Sequence, residues 1–364
     1  MAEKIRLGII GANPTRGWGP RAHLPAIVAS RDVELTAVCT TRKESAEASA
    51  AKYGARMAFD DYRELLACPD IEAVAVVLVV PNHYHVTMDA LNAGKHVFTE
   101  WPLGKTGAEA VEMRDLAEAK GLRHMVGLQA RANPSIRYAR DLVANGYVGE
   151  VMACHVSVAR GGVLQRPSDR TWQKDKSLGA STLNIPGGHT IDALRFIVGD
   201  FSSVSAVVST QARQWYETDT QRYVDVDAPD NVLVSGRLAN GAVASVYVAA
   251  VPWSVSGYRM EIYGREGTLV ASSGNTPQLL AVRLQGAKAG GSGLEELEVP
   301  GEYVTAPAET PDKEPKNVGE MYVRFGEAIR NGTGCEPDFN TAVDLHRLVD
   351  AITEASEEGR EVAL

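Results

Sequence analysis

Two hydrophobic periods divide the chain. Up to about residue 130, short apolar runs alternate with segments whose apolar positions fall at helical spacing. Beyond about residue 150 the dominant period is two. Ile5, Leu7, Ile9 and Ile10 predict a first strand, a glycine-rich turn follows, and Leu24, Ile27 and Val28 give helical character from about Arg21. A second strand is predicted at 33–39, helices at 45–53 and 61–67, and a strand at 73–80. That last run, AVAVVLVV, is apolar throughout, as a parallel strand covered on both faces requires. A helix stopped by Gly94, a strand at 96–99, a helix at 108–120 stopped by Gly121 and a strand at 123–126 complete the half. Alternating strands and helices imply a doubly wound, mostly parallel sheet over residues 1–130.

The second half opens with a helix at 134–143. Period-two strands are predicted at 150–159, 203–212, 231–238, 243–251, 259–263 and 268–271. Asn240-Gly241 is a hairpin signal, and a second hairpin is expected at 265–267. A helix at 191–198 enters this sheet. Helices at 318–330 and 340–357 end the chain, the latter with Val343, Leu345, Leu348, Val349 and Ile352 apolar and Asp344, Arg347 and Asp350 polar. Segment 286–293 reads as a flexible surface loop, and 300–316, rich in Pro, Glu and Thr, as an irregular stretch and candidate lid. The expected fold class is therefore α/β plus α+β. A Rossmann-like domain spans 1–130, and an α+β domain with a large, mostly antiparallel open sheet spans 131–364, its final helices free to pack back on the first.

Composition narrows the partners. A 364-residue chain accommodates two cores. Its net charge of -9, from 37 basic and 46 acidic residues, argues against nucleic acid, and no basic stripe appears. No apolar run reaches membrane-spanning length. The start runs directly into the first strand without a signal peptide, so a cytoplasmic location is expected. Cys39, Cys68, Cys154 and Cys335 are far apart without metal-ligand spacing, which predicts reduced thiols and no metal site.

Strand, glycine turn and helix open a dinucleotide-binding unit, in which the backbone approaches a pyrophosphate at a helix N-terminus. Gly11 stands at the first fingerprint position and Asn13 at the second, where a left-handed conformation is expected. Thr15, Arg16, Gly17 and Trp18 extend the turn. An ordinary strand-to-helix turn that binds nothing is the alternative. The second strand ends in Thr40-Thr41-Arg42-Lys43, without a carboxylate for ribose hydroxyls. Two hydroxyls and two cations suit a 2′-phosphate, so NADP is expected, with NAD as the alternative. Thr41 and Glu44 also form a capping-box pattern that needs no ligand. Ligands in such sheets lie beyond the strands' carboxyl ends. That rule selects the expected loop with Pro81, Asn82, His83 and His85; the two later strands end in Glu100-Trp101 and in Gly127 to Arg131.

The motifs GIIGAN, VVPNHYH, VFTEWPLGKT and VGLQARANPS, in that order, resemble the glucose–fructose oxidoreductase / inositol dehydrogenase / MocA family over nearly the whole chain. GANPTRGWG, EWPLG, LQARANPSIRYARDLVANGYVGEV and GGHTIDAL resemble the branch of the fungal galactose-pathway repressor. The resemblance implies an NAD(P)-dependent oxidoreductase acting on a carbohydrate-like or related hydroxy or keto compound. It also implies a homodimer or homotetramer. Cofactor contacts would come from Gly11, Asn13, Thr15, Arg16, Gly17, Trp18, Thr40, Thr41, Arg42, Pro81, Asn82, His85, Glu100, Trp101 and Gln129. Where the family carries a lysine after the motif glutamate this chain has Trp101, which offers only an N–H donor. Where the family carries an aspartate four residues before the motif histidine this chain has Ile185.

His189 remains as the family's histidine, with an ordinary pKa of about 6.5. The catalytic candidates are His189, Trp101 and Lys174. Segment 160–188 is long and polar, as functional loops are. Its Arg166, Arg170, Trp172, Lys174 and Lys176 are candidate donors to a sugar-like or carboxylated substrate. Substrate-binding candidates are Arg131, Trp172, Lys174, Asn184 and His189. The alternative function is a non-catalytic NAD(P)-binding sensor like the galactose-pathway repressor.

Overall fold

The structure, a computed structural model, describes residues 3–364. The chain packs as two compact units. One comprises the residues up to Ala132 together with Val304–Asp344. The other comprises Asn133–Tyr303 together with Leu345–Leu364.

The first unit contains six parallel strands: β1 (Ile5–Ile10), β2 (Val33–Cys39), β3 (Met57–Phe59), β4 (Ala73–Val76), β5 (His96–Glu100) and β6 (His124–Gly127). Their order is β3-β2-β1-β4-β5-β6, reversing direction between β1 and β4. The crossover helices are α1 (Leu24–Ala29), α2 (Lys43–Tyr53), α3 (Tyr62–Ala67), α4 (His83–Asn92) and α5 (Gly107–Ala119). All four β4 residues are buried, which explains the unbroken apolar run.

The expected strand at 73–80 stops earlier, at Val76. Val77 N–H still donates to Ile10 O at 2.9 Å. Beyond it β4 has no neighbour on that side, because the Gly11 and Ala12 amides turn away to Cys39 O. A short 3-10 turn at Val80–Asn82 then enters α4, so His83 and His85 stand on a helix rather than in the expected loop. The pattern at Thr41 and Glu44 also forms no capping box. Arg42 is the N-cap of α2, without a side-chain bond, and the Thr40 hydroxyl donates to Arg42 O instead.

Helix α8 (Glu314–Asn331) belongs to the first unit. Val318, Met321, Tyr322 and Phe325 fall on one helical face and share a core with Leu24, Ile27 and Leu7. From Val304 onward, the stretch expected to form a lid is tied to this helix. The amides of Thr305 and Ala306 donate to the fully buried Glu320 carboxylate at 2.9–3.1 Å.

The second unit begins with α6 (Pro134–Ala144). Its strands are β7 (Val151–Arg160), β8 (Gln165–Arg166), β9 (Phe201–Ser209), β10 (Gln214–Glu217), β11 (Arg222–Asp225), β12 (Asn231–Leu238), β13 (Val243–Ala250), β14 (Gly257–Gly264), β15 (Gly267–Ser273), β16 (Arg283–Lys288), β17 (Glu295–Glu296) and β18 (Val362–Ala363). Nine of them form a sheet ordered β17-β16-β15-β14-β7-β13-β12-β9-β18, antiparallel except where β13 meets β7. Strands β8, β10 and β11 form a separate small sheet. Helix α7 (Gly188–Val198) packs against β7.

The expected loop at 286–293 instead begins as β16. Gly286 packs beneath Tyr147: a Cβ there would lie 2.5 Å from the Tyr147 hydroxyl, which would have to shift. The last helix, α9 (Phe339–Glu358), starts in the first unit and ends in the second. Its predicted apolar positions are buried and its Asp344, Arg347 and Asp350 exposed.

Alternation gives the large sheet one buried and one open face. Val204, Val232, Val234, Val246, Val248 and Met260 are buried. On the other face Val207, Leu233 and Tyr247 lie in register across three strands, flanked by Val243 and Tyr263. Val207 is 61% and Leu233 50% exposed. No described helix is long and apolar enough to cross a membrane.

Candidate functional site

A cleft of about 530 Å³ opens at the carboxyl ends of the first unit's strands. Its walls come from four strand exits: Gly11 and Asn13 after β1, Thr40 and Thr41 after β2, Asp60 to Arg63 after β3, and Leu78, Asn82 and His85 after β4. That size accommodates a nucleoside-sized group, and the site lies where the strand order reverses.

Gly11 makes the cleft possible. Its φ is +98°, and a Cβ there would lie 2.0 Å from Val77 O. No side chain fits between these two backbones. Gly19 has the complementary role, since its Cβ would meet Gly11 O at 2.9 Å. Asn13 is not the left-handed residue expected of it. Its side chain closes the turn instead, Oδ1 accepting from the amides of Thr15 at 3.0 Å and Arg16 at 2.9 Å. Gly17 takes the left-handed position at φ +89°, beyond the three residues that lengthen the fingerprint. Thr15, Arg16 and Gly17 are exposed beside the cleft. Trp18 packs against the core and meets the His23 ring edge-on, with centroids 6.5 Å apart.

Thr40 and Thr41 line the cleft, while Arg42 and Lys43 are exposed at the start of α2. Asp60, Asp61, Tyr62 and Arg63 escaped the sequence reading. Their strand, β3, is only three residues long, too short to show a period. Asp61 caps α3 by accepting the Arg63 amide. The Tyr62 hydroxyl donates to Asp89, and partial burial, then that carboxylate, push its pKa up to about 12.

The two histidines after β4 part company. His85 is exposed and lines the cleft, its ring edge-on to Tyr62. His83 is buried, with Nδ1 2.7 Å from Pro102 O and Nε2 3.0 Å from Leu78 O. Burial lowers its pKa. The neutral ring carries one N–H and donates to one of these carbonyls at a time. Pro81 stands half-buried in the turn between.

Beneath the β5 and β6 exits lies a buried polar chain. Gln129 Nε2 donates to both Glu100 oxygens at 2.9 Å. His23 Nε2 lies 2.8 Å from Glu100 Oε1, and His23 Nδ1 lies 2.6 Å from the Tyr322 hydroxyl. Burial, then Glu100, hold the Tyr322 pKa well above its ordinary value, so the phenol keeps its proton. Sequence reading passed over His23 and Tyr322, because an apolar helix face conceals a single polar residue. Trp101, next to Glu100, is 4% exposed. Arg131 pairs with Glu336 at 2.6 Å.

In the second unit His189 is buried in the first turn of α7. A π-turn at Leu183–Gly187, with Ile185 in it, leads into that helix, and Asn184 there accepts from the Ser181 hydroxyl at 2.6 Å. Trp172 and Lys174 are half-buried in a 3-10 segment, Ser168–Lys174. The Lys174 carbonyl holds the Asp227 and Ala228 amides. No group of three or more potential metal ligands occurs among the described residues.

Comparison with known proteins gives a consistent result. Residues 5–128 match an oxidoreductase family with an NAD-binding Rossmann fold, and residues 140–364 match that family's C-terminal α/β domain. Levoglucosan dehydrogenase of Pseudarthrobacter phenanthrenivorans is 30% identical over 292 residues, 74% of this chain and 73% of that protein. The galactose/lactose metabolism regulatory protein GAL80 of Saccharomyces cerevisiae is 27% identical over 260 residues, 66% of this chain and 60% of that protein. The solved structure of levoglucosan dehydrogenase in complex with NADH matches with a TM-score of 0.86 at 26% identity, covering 99% of both chains. A super-repressor mutant of Gal80p matches with a TM-score of 0.84 at 21% identity, covering 99% of this chain and 98% of that one, a likeness of fold.

Gly11→Ala is expected to displace the Val77 backbone and cost roughly 1–3 kcal/mol in backbone strain. Dinucleotide affinity should fall about tenfold or more. Fluorescence titration with NADPH, alongside a urea melt, checks both; unchanged affinity would remove Gly11 from the site.

Proposed function

The chain belongs to the oxidoreductase family with an NAD-binding Rossmann fold and a C-terminal α/β domain, and on that premise we propose an NADP-preferring oxidoreductase for a carbohydrate-like or related hydroxy or keto compound. The cleft at the β1/β4 reversal, with Gly11 at its floor and Thr40 and Thr41 on its wall, carries this reading.

The Gly11 to Trp18 turn holds the pyrophosphate. Thr40, Thr41 and Arg42 hold the adenosine ribose and its 2′-phosphate, since β2 ends in hydroxyls and cations rather than a carboxylate. Asn82 and His85 bound the cleft from the β4 side. Glu100, Gln129 and Trp101 serve the nicotinamide end. When bound, the nicotinamide supplies the hydride donor or acceptor. The protein must then move a proton, which Trp101 cannot do. His189 takes that role, with Lys174 as the second candidate; Trp172, Asn184 and Arg131 position the substrate. The four free thiols suit a reducing, cytoplasmic setting.

Trp101 and Ile185 favour a second reading. They stand where the family has a lysine and an aspartate, which suits a dinucleotide sensor without turnover. Titration with NADPH and NADH, then a panel of sugars, keto sugars and aromatic carbonyl compounds, separates the two. Tight binding with substrate-dependent loss of reduced cofactor supports the enzyme; tight binding without turnover supports the sensor.

The open sheet face suits a second copy of the chain. Val207, Leu233 and Tyr247 form an exposed apolar row that a like surface would cover in a two-fold assembly. Sedimentation velocity should show a dimer or tetramer, and Leu233→Lys should yield monomers; a monomeric parent chain would refute this assignment.

Replacing Arg42 and Lys43 by Ala should weaken NADPH by about tenfold while sparing NADH. Equal losses would defeat the 2′-phosphate assignment. His189→Ala should lower turnover by roughly 100-fold or more, the scale of general acid–base catalysis. Dinucleotide affinity should stay within a few-fold, and full activity would exclude His189 from the mechanism.

A further inference from the structure

The small sheet of the second unit holds a cation in an unusual setting. Strand β8 pairs in parallel with β10, placing Arg166 opposite Glu217 and beside Trp215. The Arg166 guanidinium stacks 3.7 Å from the centre of the Trp215 ring and donates to Gln173 Oε1 at 2.5 Å. Trp215 is 3% exposed, and its Nε1–H has no hydrogen-bond partner among the described residues.

Four carboxylates of this sheet and its flanking loops hold other donors. Glu217 accepts from Thr171, Thr220 and Arg222. Asp219 takes the Ser168 amide and hydroxyl, Asp227 takes the Lys176 amide, and Asp175 takes Ser177. Burial first, then the neighbouring cations Arg170 and Arg160, push the Arg166 pKa down to about 10.

A part-buried cation beside like charges is stabilised when an anion joins it. Stacking on an indole face leaves the in-plane N–H groups of a guanidinium open, in the fork that grips a carboxylate or phosphate with two bonds. We propose that Arg166, with Arg170 and Arg160 beside it, forms an oxyanion-binding subsite, and that the small molecule this chain handles carries a carboxylate or a phosphate ester. The assignment to that molecule rests on reading the second unit as the substrate-binding half.

Calorimetric titration of the intact chain tests it, without dinucleotide, using D-glucuronate, D-glucose 6-phosphate and neutral D-glucose. At least one acid should bind saturably, at least about tenfold tighter than glucose. The preferred acid identifies the oxyanion as carboxylate or phosphate. Arg166→Gln and the exposed Arg170→Gln should each weaken that acid by about tenfold and leave NADPH affinity unchanged. Arg170→Gln keeps the test valid if Arg166→Gln fails to fold. No binding of either acid, equal binding of glucose, or acid affinity unaltered in the folded variants would overturn the proposal. Failure of NADPH to bind the parent chain would sink the oxidoreductase reading alone, because the acid titrations contain no dinucleotide.

Discussion

The first unit depends on a backbone approach that excludes every side chain. Gly11 passes so close to Val77 O that a Cβ would lie 2.0 Å away. This lets β1 end beside β4 and turn its next two amides to Cys39 O. Both strands lose their shared pairing at one level, and the cleft opens there. Gly19 in turn packs against Gly11 O, bringing the following helix down onto the strand exit. Two glycines thus set the spacing, and the residues between them can lengthen without disturbing it.

At the β5 and β6 exits the fold buries a carboxylate and supplies its partners from distant segments. Glu100 accepts from Gln129 and hydrogen-bonds His23, and His23 in turn hydrogen-bonds Tyr322 on α8. A buried carboxylate left without donors would be costly, so each of these residues depends on the others. Helix α8 therefore contributes both an apolar face to the core and a phenol to this network. Trp101 adjoins this network where the family's lysine would introduce a titratable amine. Trp101 is buried at that position and offers no titratable group.

The second unit separates its tasks by face and by layer. One side of its large sheet is apolar and buried; the other presents an exposed apolar row of Val207, Leu233 and Tyr247. The small sheet of β8, β10 and β11 has its own core of Trp215, Val226 and Ala228. It holds Arg166 against that core while the neighbouring carboxylates bond to hydroxyls and amides. The Arg166 guanidinium lies on the Trp215 ring and donates to Gln173 Oε1.

Local periodicity was enough to reveal the alternating first half, the period-two strands, the hairpin at Asn240-Gly241 and the strand exits bearing Thr40, Thr41, Asn82 and His85. These follow from side-chain direction along a helix or strand and from where parallel strands end, both properties of neighbouring residues. The motifs added the family. Tertiary structure decided what depends on residues far apart in the chain. It ended β4 at Val76 by removing its neighbour, brought Asp60 to Arg63 into the cleft after a strand too short to show a period, and tied 304–306 to Glu320. It drew Gly286 into a strand beneath Tyr147, joined His23, Glu100, Gln129 and Tyr322, and set Arg166 on Trp215. Each of these requires two backbones or side chains to meet, and a linear pattern records the residues without the meeting.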